Sequence, residues 1–311
     1  MTDCDLTPLT RFPLAKSRIP LNVQGDPRAV APALRGLLGL HLKKIFCAHA
    51  DFKSRDCPPC AHVRDCLYVA IFTPGAETGA TPPRPFALSL SPEKAGIKLL
   101  ELTLMGSLAV SHRDAVEAAL TRAVQTLNRV EASGPIHPHP FEIQSPGQPL
   151  TLEEWIKALP PLDRNLTEFT FIAPVQLKRI TRELTFPILV KTILSRLRDL
   201  KRTFPDTSHM GYTGPAFHQA AEGVALFPDL TRTRFSLTSS RTGRTLNLGG
   251  LTGSFILKGD LTPFTHLLAS AHLLGLGRKT VYGLGSLTTP AWDHALGKTR
   301  LTPEEKTETI A

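Results

Sequence analysis

Residues 275–285 read Gly-Leu-Gly-Arg-Lys-Thr-Val-Tyr-Gly-Leu-Gly, so two Gly-x-Gly pairs flank two adjacent cations. Glycine accepts a positive φ, and successive backbone N–H groups beside cations are suited to phosphate. The stretch is not a mononucleotide-binding loop, because it lacks the motif Gly-x-x-x-x-Gly-Lys-Ser/Thr. Such a loop also follows a strand, whereas residues 267–274 before the glycines predict a helix. A turn between a helix and a strand would also explain the glycines. The residues that would contact phosphate in this stretch are Gly275, Gly277, Arg278, Lys279, Gly283 and Gly285.

The elements around this stretch predict an α+β fold. Alternating apolar residues and helix-start signals give the order strand, helix, two strands, helix, strand in each half of the chain. The expected elements are 11–23, 26–46, 86–90, 98–105, a helix after a capping box at 111–114, and 141–143 in the first half, then 166–177, 186–202, 233–237, 253–257, 263–274 and 286–289 in the second.

This order predicts two tandem ferredoxin-like βαββαβ domains. We expect residues 1–160 to form the first domain, with a cysteine-rich insertion at 47–66. Residues 161–311 are expected to form the second domain, with the glycine-rich loop at 275–285.

Charge is distributed unequally between the two halves. The chain has 36 Lys and Arg against 27 Asp and Glu, a net charge of +9, and residues 165–311 carry +7 of it (18 basic against 11 acidic). A basic half beside a nearly neutral half indicates a polyanionic partner, although a solvated surface would also carry such an excess. With only 15 Phe, 3 Tyr and 2 Trp, phosphate and shape contacts are favoured over many stacked bases.

Two groups of cations are candidates for contact with such a partner. On the helix at 186–202, Lys191, Arg198 and Arg202 share one stripe opposite an apolar face, which also suits a solvated surface. The second group lies in a segment rich in Ser, Thr and Gly and consists of Arg232, Arg234, Arg241 and Arg244. That segment would order on a nucleic acid or form a mobile surface loop.

Four motifs together resemble the carboxyl-terminal part of the CRISPR repeat-processing endoribonucleases of the RAMP superfamily. They are residues 234–236 (Arg-Phe-Ser), 249–253 (Gly-Gly-Leu-Thr-Gly), 259–264 (Gly-Asp-Leu-Thr-Pro-Phe) and the glycine-rich loop. The likeness extends upstream to 169–178, to 102–106 and to 34–36, and so covers most of the chain. It implies RRM-like domains, CRISPR repeat RNA or mature crRNA as the partner, and retention in an effector complex with other CRISPR subunits.

The resemblance also implies a reaction. In this family a ribose 2′-hydroxyl attacks the adjacent phosphorus without a metal, leaving a 2′,3′-cyclic phosphate on the 3′ side of the repeat stem. A histidine in the first helix or the loop after it often serves as base, and His41 is the nearest match, although it shares a stripe with apolar residues and suits the core as well. Arg35, Lys43 and Lys44 would supply charge in the transition state. The alternative is a non-catalytic RAMP subunit that binds guide RNA.

The spacing Cys47-x9-Cys57-x2-Cys60-x5-Cys66 indicates a metal site. Four thiolates can surround one tetrahedral zinc, which leaves no open position and makes the metal structural. We expect zinc ahead of an iron–sulfur cluster, with a reduced cysteine group as the alternative. A third functional hypothesis is a metal-dependent enzyme that uses these cysteines and His49.

The remaining motifs give little indication of function. His137 and His139 alternate with prolines, which fits an extended loop better than a metal site, and Cys4 lies outside the cysteine spacing. Glu153 and Glu154 look like first-turn helix residues. No apolar run reaches the ~20 residues that a membrane helix needs, and no leader pattern is seen, so we expect a cytoplasmic protein without membrane contact.

Overall fold

The structure is a computed structural model that describes residues 11–23, 26–52, 57, 59–75, 82–91, 97–130, 136–137, 149–177, 183–204, 215–238, 243 and 245–292. The strands are β1 (Pro13–Val23), β2 (Phe86–Leu90), β3 (Ile97–Met105), β4 (Ile136–His137), β5 (Leu150–Thr151), β6 (Leu166–Val175), β7 (Ala225–Thr233), β8 (Ser236–Thr238), β9 (Thr245–Asn247), β10 (Gly250–Lys258) and β11 (Leu287–Thr288). The helices are α1 (Pro27–Phe46), α2 (Leu67–Phe72), α3 (Ser107–Ser111), α4 (Arg113–Val130), α5 (Leu152–Ala158), α6 (Phe186–Thr203), α7 (Pro215–Glu222) and α8 (Thr265–Leu274).

Two antiparallel sheets organise these elements. The first has the order β2-β3-β1-β4, with β5 also paired to β1, and the second has the order β11-β6-β10-β7. Strands β8 and β9 pair only with each other in the described chain. Without them and without β5, and with the strands of each unit numbered 1 to 4 along the chain, both sheets have the spatial order 4-1-3-2. This is the order of a ferredoxin-like βαββαβ unit, in which one helix connects strands 1 and 2 and a second helix connects strands 3 and 4. The prediction of two tandem ferredoxin-like folds is confirmed, while the boundary at residue 160 and the status of 47–66 as an insertion stay predictions.

Several local signals in the sequence act as expected. Asp26 caps α1 by accepting a hydrogen bond from the backbone N–H of Arg28 at 2.9 Å. The first turn of α5 contains Glu153 and Glu154, and Glu154 completes a capping box with Thr151. Helix α6 buries Leu189, Ile193 and Leu197, which belong to the expected apolar face.

Other local predictions were wrong. Ser111 ends α3 and donates its hydroxyl hydrogen to the carbonyl of Leu108, so it does not cap α4. The expected strand at 233–237 is replaced by the end of β7 and the start of β8, whose residues are largely exposed and lack apolar alternation. The predicted strand at 141–143 lies outside the described residues.

Each of the two hydrophobic cores contains residues from both halves of the chain. Phe12, Leu14 and Met105 from the first half pack into the core that is built around β6, β10, α6 and α8. Val281 from the glycine-rich loop packs into the other core, with α1, α2 and α4. This exchange of apolar side chains joins the two sheets into one packed body.

The glycine-rich loop (Gly275–Gly285) makes its closest approach to the first half at Gly283. Gly283 has a φ of 83°, and a Cβ placed on it would lie 2.5 Å from the Cβ of Ala31 in α1. Both the backbone conformation and the space therefore require glycine at this position.

We predict that Gly283→Ala lowers the free energy of unfolding by about 2–4 kcal/mol, because left-handed strain adds to a clash with α1. Gly243→Ala is the control, since Gly243 has a φ of 63° but no heavy atom within 4 Å of its Cβ position. That control should cost about 1–2 kcal/mol. Chemical denaturation would measure both values, and equal losses in the two variants would contradict the close contact with Ala31.

A buried charge cluster lies between the two sheets. The Lys16 ammonium is 2.5 Å from Glu101 Oε1, and Arg18 Nε is 3.1 Å from Glu101 Oε2. Burial alone raises the pKa of Glu101, but Lys16 and Arg18 more than offset this effect and hold the pKa at about 2. Burial first, and Lys16 second, lower the pKa of His272 on α8 to about 4.

We predict that acid destabilises the protein in two overlapping steps. The unfolded chain takes up a proton at His272 below about pH 6.5 and at Glu101 below about pH 4.5, whereas the folded chain resists both until about pH 4 and about pH 2. The melting temperature should therefore fall continuously between pH 7 and pH 3. Glu101→Gln should remove the part of this fall below pH 4.5, and a melting temperature that is constant from pH 7 to pH 4 would contradict the neutral state of His272.

Candidate nucleic-acid interface

Hydrogen bonds within the fold occupy much of the backbone of the glycine-rich loop. The N–H groups of Leu276 and Gly285 donate to Gly285 O and Pro174 O, and that of Arg278 donates to Gln176 O. Tyr282 and Gly283 donate to carbonyls inside the loop. These five groups cannot also hold a phosphate. The glycines at 275, 277, 283 and 285 all have a positive φ and leave no room for a Cβ, so they serve mainly the path of the chain. Phosphate contact from this loop must come chiefly from its side chains.

The side chains of the two loop cations differ in what they contact. Arg278 is exposed, whereas the ammonium of half-buried Lys279 donates to Asn247 O at the end of β9. Burial, and next to it the charge of Arg278, lower the pKa of Lys279. Lys279 also has a φ of 63°, which is uncommon outside glycine. Lys279 therefore anchors the hairpin β8–β9 to the loop, and Arg278 is the cation that projects into solvent.

A cavity of about 360 Å³ lies where the loop meets α6. Its lining includes Lys191, Ser195 and Arg196 from α6, and Gly277 and Arg278 from the loop. We name this cavity the basic groove, because it contains three cations and one carboxylate, Asp199. The sequence predicted that the loop and the α6 stripe contact one polyanion, and the tertiary structure brings Arg278 of the loop and Lys191 of the stripe to the same groove.

Arg196 is a groove residue that the sequence analysis missed. Its Nη2 donates to Thr280 Oγ1 at 3.2 Å, and its buried Nε has no hydrogen-bond partner among the described residues. Burial lowers the pKa of Arg196 to about 10, and Asp199 partly opposes this shift. A buried guanidinium N–H without an acceptor favours an anion at this position. Arg196 lies about 140° around the helix from Lys191, so the stripe rule excluded it.

A second cavity, of about 500 Å³, lies on the other side of the loop, between the two sheets. We name it the cleft; the cations of its lining are Arg28 and Lys98, and Tyr282 and Phe235 supply aromatic surface. The guanidinium of Arg28 lies 4.8 Å from the ring centre of Phe235. Arg35 lies close to this cleft, because its guanidinium is 4.7 Å from the ring centre of Tyr282 and 4.6 Å from that of Phe72. Cation–π contacts therefore link α1 to the glycine-rich loop and to the segment between β7 and β8.

The other predicted cations lie outside these two cavities. Arg198 and Arg202 are exposed on α6, beyond the lining of the basic groove. Arg232 is exposed near the end of β7, and Arg234 is exposed between β7 and β8. The last two, Arg241 and Arg244, fall outside the described residues.

The structure places His41 on the side of α1 that faces α4. Its Nε2 is 2.9 Å from Thr126 Oγ1, and this hydroxyl donates its own hydrogen to Arg122 O at 2.7 Å. The ring therefore donates through Nε2–H and keeps its lone pair on Nδ1. Burial lowers the pKa of His41, and Arg122 and Lys44 lower it further, so the ring is neutral at pH 7.

The candidate catalytic residues from the sequence do not form one cluster. Arg35 contacts Tyr282, His41 contacts Thr126, and Lys43 lies beside the cysteines with its ammonium 5.8 Å from the ring centre of Tyr68. Arg35 and His41 are separated by about 9 Å along α1 and by about 120° around it. Lys44 is exposed on the same turn as His41.

The four cysteines lie near one another, around a small cavity. Cys47, Cys57, Cys60 and Cys66 all line it, together with Lys43. Burial raises the pKa of the Cys57 thiol, Lys43 lowers it, and the three other cysteines raise it. His49 Nε2 is 3.5 Å from Cys60 Sγ. Across the described chain, no group of three or more His, Cys, Asp or Glu side chains has an arrangement that could hold a metal.

His137 lies in β4 opposite Asn22, and His139 and Cys4 are outside the described residues. Among the helices that the structure describes, none is both long enough and apolar enough to cross a bilayer.

Comparisons with known protein families match both halves of the chain. Residues 169–287 match the family described as CRISPR-associated endoribonuclease Cas6, and residues 12–137 match the family described as AF_1859_N, N-terminal domain. A search of curated proteins finds no match.

Solved structures share the fold over nearly the whole chain. Thermus thermophilus Cas6 (TTHB231) has a TM-score of 0.52 at 18% identity, over 89% of this chain and 98% of that one. A Cas6 (TTHB231) product complex has a TM-score of 0.50 at 17% sequence identity, and a Cas6 (TTHA0078) product complex has a TM-score of 0.50 at 14% sequence identity. Each match covers 89% of this chain and 99% of the other.

The fold and the two sheets define a protein of two ferredoxin-like units. Residues 169–287 are similar to the Cas6 endoribonuclease family, and the predicted resemblance to the CRISPR repeat-processing endoribonucleases is confirmed.

Proposed function

We propose that this protein binds CRISPR repeat RNA, at the repeat hairpin, and cleaves it on the 3′ side of the stem. The observation that carries the proposal is the meeting of the glycine-rich loop with α6 at the basic groove and with α1 at the cleft. The match of residues 169–287 to the Cas6 endoribonuclease family supports both the partner and the activity. Solved Cas6 structures in product complexes have the same fold.

The basic groove suits a phosphate backbone. Lys191, Arg196 and Arg278 supply three cations against the one carboxylate of Asp199. Arg196 Nε adds a buried donor that a phosphate oxygen would satisfy. The cleft beside it offers Phe235 and Tyr282 next to Arg28 and Lys98, which suits an unpaired base and its phosphate.

The proposed reaction is attack by a ribose 2′-hydroxyl on the adjacent phosphorus. The O2′–P bond forms as the P–O5′ bond breaks, which leaves a 2′,3′-cyclic phosphate and a 5′-hydroxyl. His41 is the proposed general base, because its ring is neutral, Thr126 orients it, and Nδ1 carries the free lone pair. Lys44 and Arg122, whose charges already act on His41, would stabilise the extra negative charge in the transition state.

A second candidate function is a non-catalytic RAMP subunit that binds guide RNA within an effector complex. This alternative is favoured by the separation of Arg35, His41 and Lys43 into three different surroundings. Such a subunit would bind RNA at the same basic groove but would not cleave it. Slow product release would let one protein do both, by cutting the repeat and then retaining the mature crRNA.

We predict that Arg278→Ala weakens repeat RNA binding and lowers the slope of log Kd against log salt by about one phosphate contact. Arg164→Ala is the matched control, because it removes the same charge from an exposed residue near the other end of β6. Ten strand residues place the two ends of β6 roughly 33 Å apart. Equal slopes for the wild type and Arg278→Ala, measured by filter binding over a salt series, would exclude the groove from the RNA surface.

We predict that the wild type cleaves cognate repeat RNA in the presence of a chelator, and that a 2′-deoxy nucleotide at the cut site abolishes cleavage. His41→Ala should lower the single-turnover rate at least ~100-fold with little change in Kd. Because burial first, and next the charges of Arg122 and Lys44, lower the pKa of His41 below 6.5, the wild-type rate should rise with pH and pass half of its maximum below pH 6.5.

Arg35→Ala, measured in parallel, locates the chemistry. A large loss of rate in this variant, together with normal cleavage by His41→Ala, would move the reaction from the α1–α4 side to the cleft. Binding without cleavage of any repeat RNA would favour the non-catalytic subunit, and cleavage that stops in chelator would favour the metal-dependent enzyme.

A further inference from the structure

The four cysteines at 47, 57, 60 and 66 are brought together from both sides of a loop. Cys47 directly follows the last residue of α1, and Cys66 directly precedes the first residue of α2. Cys57 and Cys60 form a turn in which the Cys60 N–H donates to Cys57 O at 2.9 Å. All four side chains reach one cavity of about 20 Å³, closed by Val63, Tyr68 and Val69.

The chemistry of this cavity suits one soft metal ion. The cysteines are free and half-buried, so they are not used as disulfides. The cavity volume corresponds to about one water-sized particle, which is the scale of a single ion. Four sulfurs with no nitrogen or oxygen ligand required are the donor set that zinc takes in closed tetrahedral sites.

Charge around the cavity is consistent with thiolates. Four thiolates on one divalent ion carry a net charge of −2, and Lys43 lies at the cavity wall with only 8% of its surface exposed. His49 is placed for an outer contact, because its Nε2 is 3.5 Å from Cys60 Sγ. A histidine that donates to a coordinated sulfur orients and stabilises that ligand.

We propose that Cys47, Cys57, Cys60 and Cys66 bind one Zn²⁺ ion as thiolates and thereby join the end of α1 to the start of α2. A tetrahedral site with Zn–S bonds of about 2.3 Å requires neighbouring sulfurs about 3.8 Å apart. Among the described residues no group of three or more His, Cys, Asp or Glu side chains is already arranged to hold a metal, so the proposal requires the four sulfurs to rearrange around the cavity. With four protein ligands the ion has no open position, and its role is structural and independent of the proposed RNA cleavage.

The test is metal analysis of the full-length protein produced with zinc in the medium. We expect one equivalent of zinc per chain by mass spectrometry, and Co²⁺ in its place should give the intense thiolate-to-metal absorption of a four-sulfur tetrahedral site. Cys57→Ser should lower the bound metal to below ~0.2 equivalents, whereas the control Cys4→Ser should retain one equivalent.

A second measurement covers the case in which Cys57→Ser does not fold. Wild-type protein treated with a strong chelator should lose at least about 5 °C of melting temperature and regain it when Zn²⁺ is restored. Protein without zinc that gives no tetrahedral Co²⁺ spectrum would overturn the proposal, as would stoichiometric iron and sulfide, or disulfides between these cysteines. Loss of RNA cleavage in a protein with full zinc would count against the proposed function alone.

Discussion

The packing of the glycine-rich loop between the two halves of the chain is the constraint on which the rest of the structure depends. Gly283 lies against Ala31 of α1, with no room for a Cβ, while Val281 enters the core of the first half. A Cβ placed on Gly277 would likewise lie 2.5 Å from the carbonyl oxygen of Gln176, just after the end of β6. The loop thus fixes α1, β6 and α6 relative to one another, and both cavities form at its two sides.

This packing changes what the glycines do for an RNA ligand. A glycine-rich loop with free N–H groups would bind phosphate by its backbone, but five of these groups already donate to carbonyls of the fold. The loop instead positions cations, with Arg278 at the basic groove and Tyr282 beneath the guanidinium of Arg35. The proposed contact with RNA then depends on Lys191, Arg196 and Arg278, which line one groove although the loop and α6 are far apart in sequence.

The interface between the two sheets joins apolar packing to a buried ion cluster. Phe12 and Leu14 cross into the second core, and beside them Lys16 and Arg18 hold Glu101 in its charged form. A buried ion pair is costly to break, because removal of one partner leaves an uncompensated charge. These ion pairs join β1 to β3 within the first sheet, and the charges of Lys16 and Glu101 also act on His272 of α8.

The sequence by itself determined the βαββαβ order, the limits of α1 and α6, and the gathering of positive charge in the second half, because these follow from local periodicity, capping and composition. It also predicted that the loop and α6 contact one polyanion. It missed Arg196 and Tyr282, because their partners are remote in sequence. Arg196 contacts Thr280, about 80 positions away, and Tyr282 contacts Arg35, about 250 positions away. It also could not place His41 against Thr126 or divide the candidate catalytic residues among three surroundings. Only the tertiary structure decides such contacts, because the packing of one element against another selects which side of a helix faces a ligand, a core or solvent.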